Sequence, residues 1–208
     1  MSDLGFIHRF ERGESPWTLL LLHGTGGDEH DLIELGRAVA PGWSLLSPRG
    51  KVLENGAPRF FRRLAEGVFD EADLRLRAHE LADFIARAAT EYALDPAKIV
   101  ALGYSNGANI ASATLLLRPE TLRGAALLRP MTPFSEAPQP NLAGKSVLIA
   151  AGDADPIAPS AHADGLKRLF EGAGAHVQVT VASASHGLTQ ADVATVAAWL
   201  KAVSARRR

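Results

Sequence analysis

The stretch from Lys98 to Leu117, KIVALGYSNGANIASATLLL, constrains this chain more than any other. Ile99, Val100, Ala101 and Leu102 read as a buried strand, and Asn106 to Leu117 as a helix of mostly small residues. Between them stands Gly103-Tyr104-Ser105-Asn106-Gly107, a G-x-S-x-G pattern. A serine on so sharp a strand-to-helix turn sits in a strained backbone conformation, so the residues two before and two after it must be small. The helix that follows directs its dipole and its unpaired N–H groups at the serine, where they favour developing negative charge. A five-residue pattern recurs by chance, and context has to decide it. Here the strand precedes and the helix follows, which makes Ser105 a candidate nucleophile.

The rest of the chain supplies the frame. Phe6–Phe10 reads as a short edge strand and Glu11–Pro16 as a turn. Trp17–Leu22 is a continuous apolar run, as expected of a strand buried on both faces of a parallel sheet. Glu29–Ala40 has helical spacing, and Trp43–Leu46 is another short strand. Residues 48–69 show no clear periodicity, and a loop of that length in a compact domain is functional or disordered. Asp70–Tyr92 is the longest helix, with Asp70 placed as its N-cap. Strands are expected at 125–128, 146–151 and 177–181, a proline-rich loop at 132–144, and helices at 159–172 and 189–203. Strands alternating with helices give an α/β fold, a doubly wound, mostly parallel sheet with helices on both faces. The length suits one domain over residues 1–208. In such sheets ligands bind at the carboxyl ends of the strands, and the loops after Leu22, Leu102, Ala151 and Val181 all lie at that edge.

A serine nucleophile needs a base and an orienting acid from later strand ends, in the order Ser, acid, His. Of seven histidines, His186 alone follows the last strand and precedes the closing helix. His8, His30, His79, His162 and His176 fall in helices or in no suitable loop, where packing or surface roles are commoner. The acid loop, Ala151-Gly152-Asp153-Ala154-Asp155-Pro156, offers both Asp153 and Asp155, one of which can simply cap the turn. After Leu22 comes His23-Gly24-Thr25-Gly26-Gly27-Asp28. It lacks Walker spacing, its lysine and G-x-G-x-x-G, so an oxyanion loop fits better than a phosphate cradle. The expected oxyanion donors are the backbone N–H groups of Thr25 and Asn106, with His23 structural. His23, His30 and Asp31 match no usual metal-ligand spacing.

Composition narrows the remaining classes. The chain has no cysteine, which excludes disulfides, thiolate metal sites and a cysteine nucleophile. A net charge of −1 gives no footing for nucleic-acid binding, and the terminal Arg206-Arg207-Arg208 reads as a solvated end. No apolar run is long enough for a membrane span, and the first residues lack a signal-peptide layout, so the cytoplasm is the expected compartment. No cofactor is called for. Arg59, Arg62 and Arg63 either meet an acidic substrate or, as is commoner, pair with Glu66, Asp70 and Glu71.

Together LLHGTGGDEHDL, GYSNGA, GDADPIAP and SHGL resemble the phospholipase/carboxylesterase group of α/β-hydrolases, over nearly the whole chain. That group includes bacterial carboxylesterases and acyl-protein thioesterases. PRGKVLENGAPRFFRRLAEGVFDEADL resembles a bacterial branch of hydrolases, some associated with quinone or aromatic-compound stress. The resemblance implies a compact hydrolase without a large lid domain, acting on a small-molecule ester and often dimeric. It places the acid on Asp155, immediately before the proline, and leaves Asp153 structural. By matching position, Phe60, Phe61, Met131, Ile157 and Leu188 line the acyl or alcohol pocket. From the residues alone, Phe60 and Phe61 are as well suited to plugging the core as to walling a pocket. The expected function is a serine esterase or thioesterase working through an acyl-enzyme. The alternative is a catalytically silent hydrolase-fold module that binds a ligand or a partner.

Overall fold

The structure is a computed structural model and describes residues 4–206. Arg207 and Arg208, the end of the basic tail, lie outside the described residues. The strands of the main sheet are β1 (His8–Glu11), β2 (Thr18–Leu22), β3 (Ser44–Pro48), β8 (Ile99–Tyr104), β9 (Gly124–Leu128), β10 (Ser146–Gly152) and β11 (His176–Ala182). They lie in the order β1-β3-β2-β8-β9-β10-β11. All neighbours run parallel except β1, which pairs antiparallel with β3 at the edge. The edge strand therefore starts two residues later than the sequence predicts.

Five helices cover the sheet: α1 (Ile33–Val39), α2 (Glu71–Glu91), α3 (Asn106–Leu117), α4 (Ala161–Gly172) and α5 (Gln190–Ala205). Because strand side chains alternate between faces, the leucine runs divide cleanly. Leu20 and Leu22 pack with Leu81, Phe84 and Ile85 of α2, with α3 and with α4. Leu19 and Leu21 pack with Ile33 of α1 and with Val196, Trp199 and Leu200 of α5. Both faces are thus buried, which is why β2, β8, β9 and β10 read as apolar runs rather than alternating ones. Asp70 caps α2 by accepting the Asp73 N–H at 3.0 Å.

Residues 48–69 are not one irregular loop. They carry two antiparallel hairpins, β4 (Val52–Glu54) with β5 (Ala57–Arg59), and β6 (Arg63–Ala65) with β7 (Val68–Phe69). Asn55 and Gly56 form the first turn with φ of 51° and 84°, the positive pair that a two-residue hairpin requires. No inserted lid domain occurs among the described residues, and none of their helices is long and apolar enough to cross a membrane.

Candidate active site

Ser105 occupies the turn between β8 and α3 with φ 51° and ψ −113°, outside the ordinary regions for a residue with a side chain. Two glycines permit that turn. A Cβ on Gly103 would stand 2.3 Å from the Gly107 carbonyl oxygen, and a Cβ on Gly107 would stand 1.9 Å from that of Leu22. The elbow thus needs glycine because backbone passes against backbone. Ser105 N–H donates to Leu128 O at 2.9 Å, tying the elbow to the end of β9.

Three side chains from three strand ends then form one hydrogen-bonded line. His186 Nε2 lies 2.9 Å from Ser105 Oγ, and His186 Nδ1 lies 2.8 Å from Asp155 Oδ2. A carboxylate only accepts, so Nδ1 carries the proton and Nε2 is left to accept from the serine hydroxyl. Asp155 Oδ1 accepts the N–H groups of Ile157 and Ala158 at 2.8 and 2.9 Å. Burial works to raise the Asp155 carboxyl, but the Ala158 N–H, the imidazole and the Ile157 N–H outweigh it and hold it below the usual range. The Asp155 side chain is fully buried, while Ser105 and His186 are half-buried and face solvent. Asp153 does something else, accepting the Ala184 N–H at 3.1 Å.

Asn106 opens α3, so its N–H has no acceptor one turn back within the helix. In the loop after β2, Gly26 N–H donates to Pro58 O and Gly27 N–H to Gly24 O, at 2.9 and 3.1 Å. That loop is braced from β5. Arg59 Nη1 donates to Thr25 Oγ1 at 2.8 Å, and Phe60 N–H donates to Asn106 Oδ1, also at 2.8 Å. The last residue of β5 and the residue just after it therefore hold both residues expected to supply oxyanion donors. His23 is buried beneath the loop: its Nδ1–H donates to Gly24 O at 2.6 Å, while Nε2 accepts the Gly50 N–H at 2.9 Å. Burial pushes its pKa below the ordinary histidine value, and the two contacts together require the neutral ring.

The pocket residues divide. Phe60 and Phe61 are 3% and 0% exposed and belong to the core beneath the sheet. Phe60 packs on His23 with ring centroids 4.7 Å apart, and Phe61 meets Phe69 edge-on at 5.0 Å. Their placement in the substrate pocket is corrected: water does not reach the Phe61 ring, so a ligand cannot touch it without unpacking the core. Ile157 is exposed, Leu188 is half-buried, and Met131 is 9% exposed, anchored by its N–H on Asn109 Oδ1. The arginines are paired, partly with acids other than those expected. Arg62 meets Asp70 and Asp73, whereas Arg63 and Arg59 both meet Glu54. A cavity of about 810 Å3, lined by Pro96, Leu122, Lys145 and His176 among others, lies at the amino ends of the strands, away from Ser105.

Sequence reasoning missed Arg129, which sits at the end of β9 with φ 54° and is 1% exposed. Its only sequence signal was an arginine closing an apolar strand. It also missed the role of Tyr104, whose hydroxyl donates to His186 O at 3.0 Å.

A doubly wound sheet with a serine elbow at the end of a central strand, next to the point where strand order reverses, defines an α/β-hydrolase. Residues 55–205 match the family model described as the dienelactone hydrolase family, and the chain belongs to that family. It is 46% identical over 194 residues to the Bacillus subtilis (strain 168) protein named "Putative hydrolase MhqD", covering 93% of this chain and 97% of MhqD. Among solved structures, the Bacillus cereus carboxylesterase superposes with a TM-score of 0.93 at 49% identity, over 96% of this chain and 95% of that one. The carboxylesterase from Mesorhizobium loti gives 0.92 at 35% identity, over 97% of each chain. The protein is a hydrolase of the carboxylesterase type.

Proposed function

We propose that the protein cleaves small to medium carboxylic esters, thioesters included, through an acyl-enzyme on Ser105. The observation that carries this reading is the continuous hydrogen-bonded line from Ser105 through His186 to Asp155. His186 Nε2 takes the hydroxyl proton as Ser105 Oγ attacks the acyl carbonyl, and Asp155 stabilises the imidazolium. The Thr25 and Asn106 N–H groups hold the oxyanion, and each such donor lowers the barrier by about 3–4 kcal/mol. Collapse breaks the C–O bond, and His186 returns the proton to the departing alcohol. Water then repeats the sequence on the acyl-enzyme and releases the acid. Met131, Ile157 and Leu188 border the acyl or alcohol group. The family match also favours lactones, which the same three groups would open. A cysteine nucleophile is excluded because the chain has none. A cytoplasmic setting and a homodimer complete the proposal, the latter tested by light scattering.

The test is hydrolysis of p-nitrophenyl acetate, butyrate, octanoate and laurate by wild type and Ser105→Ala. Turnover in wild type and a loss on the order of 10⁶-fold in the variant are expected. The chain-length optimum sizes the pocket. A folded wild type that neither turns over any ester nor is labelled by a serine-reactive phosphonate would sink the reading and favour a silent binding module.

A further inference from the structure

We infer that Arg129 is a positioning residue for His186, and that its buried partner Asp192 exists to hold the Arg129 guanidinium in place. The inference rests on the proposed role of His186 as the base. His186 lies in the loop between β11 and α5, and few backbone bonds fix that loop. Side chains fix it instead. Arg129 Nε–H donates to Ser185 O at 3.2 Å and Nη2–H donates to Gly187 O at 2.9 Å, so one guanidinium holds the carbonyls on both sides of His186. Tyr104 takes the His186 carbonyl between them. Three consecutive carbonyls are therefore captured by two side chains rooted at the ends of β8 and β9, the strands that also hold Ser105.

The guanidinium is itself held from behind. Asp192 accepts from Nη1 at 3.1 Å and from Nη2 at 2.8 Å, and Nη1 also donates to Ala150 O at 3.1 Å. The Arg129 side chain is fully buried and that of Asp192 nearly so. Asp192 also caps α5, accepting the Thr189 N–H at 2.7 Å and its hydroxyl at 2.8 Å. A buried ion pair is a weak means of gaining stability, because desolvation offsets most of the attraction. What this pair supplies is direction: a rigid planar fork with donors on two edges spans Ser185, Gly187 and Asp192 at once, which a lysine cannot do. Arg129 reaches this place with a left-handed backbone that a side chain rarely adopts, a local cost met at the site.

The experiment compares wild type with Arg129→Lys, Arg129→Met, and Arg129→Met combined with Asp192→Asn, in the full chain. The double variant removes both charges but keeps an amide oxygen for the Thr189 N–H. Thermal stability, kcat and KM for p-nitrophenyl butyrate, and the His186 Nδ1–H proton resonance are measured for each. We expect kcat to fall about 10- to 100-fold in all three variants with KM within about twofold, as for a displaced catalytic group. Stability is expected to recover in the lysine and double variants while kcat does not. The Nδ1–H resonance is expected to broaden or shift in every variant. A kcat that returns with stability, together with an unchanged Nδ1–H resonance, would overturn the inference and make the pair a plain structural one. If Arg129→Met does not fold, Arg129→Lys alone gives the same comparison. Failure of the ester-hydrolase reading shows separately, as an inert wild type or a fully active Ser105→Ala. The His186 resonance still decides the role of Arg129 in that event.

Discussion

At the residue scale the chemistry depends on atoms that have no room to move. Gly107 is the sharpest case, since a Cβ there would sit 1.9 Å from the Leu22 carbonyl oxygen, in the strand that leads to the oxyanion loop. Gly107→Ala is expected to destabilise the fold toward the upper end of about 1–3 kcal/mol and to reduce activity more than stability, measured by urea unfolding and ester turnover. His23 gives a pH signature. Its folded pKa lies below the ordinary value of 6.5, so between the two values the unfolded chain binds the extra proton. Stability should therefore fall as pH drops below about 6.5 and through the lowered folded value. His162, also lowered by burial, acts with the same sign. In His23→Asn that slope should be shallower, which urea unfolding at a series of pH values checks. None of this was legible beforehand, because a histidine after an apolar strand looks the same whether it is wedged between Gly24 O and Gly50 N–H or free.

At the element scale most predicted strands and helices stand close to the observed ones, but the helix expected over 29–40 begins only at Ile33, after a run of turns. Periodicity failed in residues 48–69, where each strand is only two or three residues long. A signal was nonetheless present in Asn55-Gly56, whose two residues tolerate the positive φ of a tight hairpin. The hairpins matter because Pro58, Arg59 and Phe60 brace the loop after β2 and the start of α3. Phe61 anchors the segment by packing into the core. Phe61→Ala is expected to cost about 3–5 kcal/mol of stability while leaving KM for p-nitrophenyl butyrate nearly unchanged well below the melting point. A rise in KM without lost stability would return Phe61 to the pocket wall.

At the scale of the whole molecule, the candidate site collects residues 25, 105, 155 and 186 at one edge of the sheet, and buried carboxylates secure it. Asp155 and Asp192 are both held below the ordinary aspartate value of 3.8 by their hydrogen-bond donors, against the opposing effect of burial. Their contribution is present above that value and is lost as pH falls through the lowered folded ones. A second acid transition, below the histidine one and reduced in Asp192→Asn, is expected in the same unfolding series. The α/β architecture and the strand-turn-helix context of Ser105 were legible in the sequence because each depends on local chemistry: apolar runs and small residues about a turn. Polar residues just past strand ends marked His186 and the pair Asp153 and Asp155 as candidates, and only the family resemblance singled out Asp155. The burial of Phe60 and Phe61, the partners of Arg59 and Arg63, and the grip of Arg129 on both sides of His186 were not legible. They join residues far apart in the chain, and an aromatic or a charged side chain carries no local mark of whether it will meet solvent, a core or a carbonyl. Only the packing of β9 beside β8 and β10 decided that.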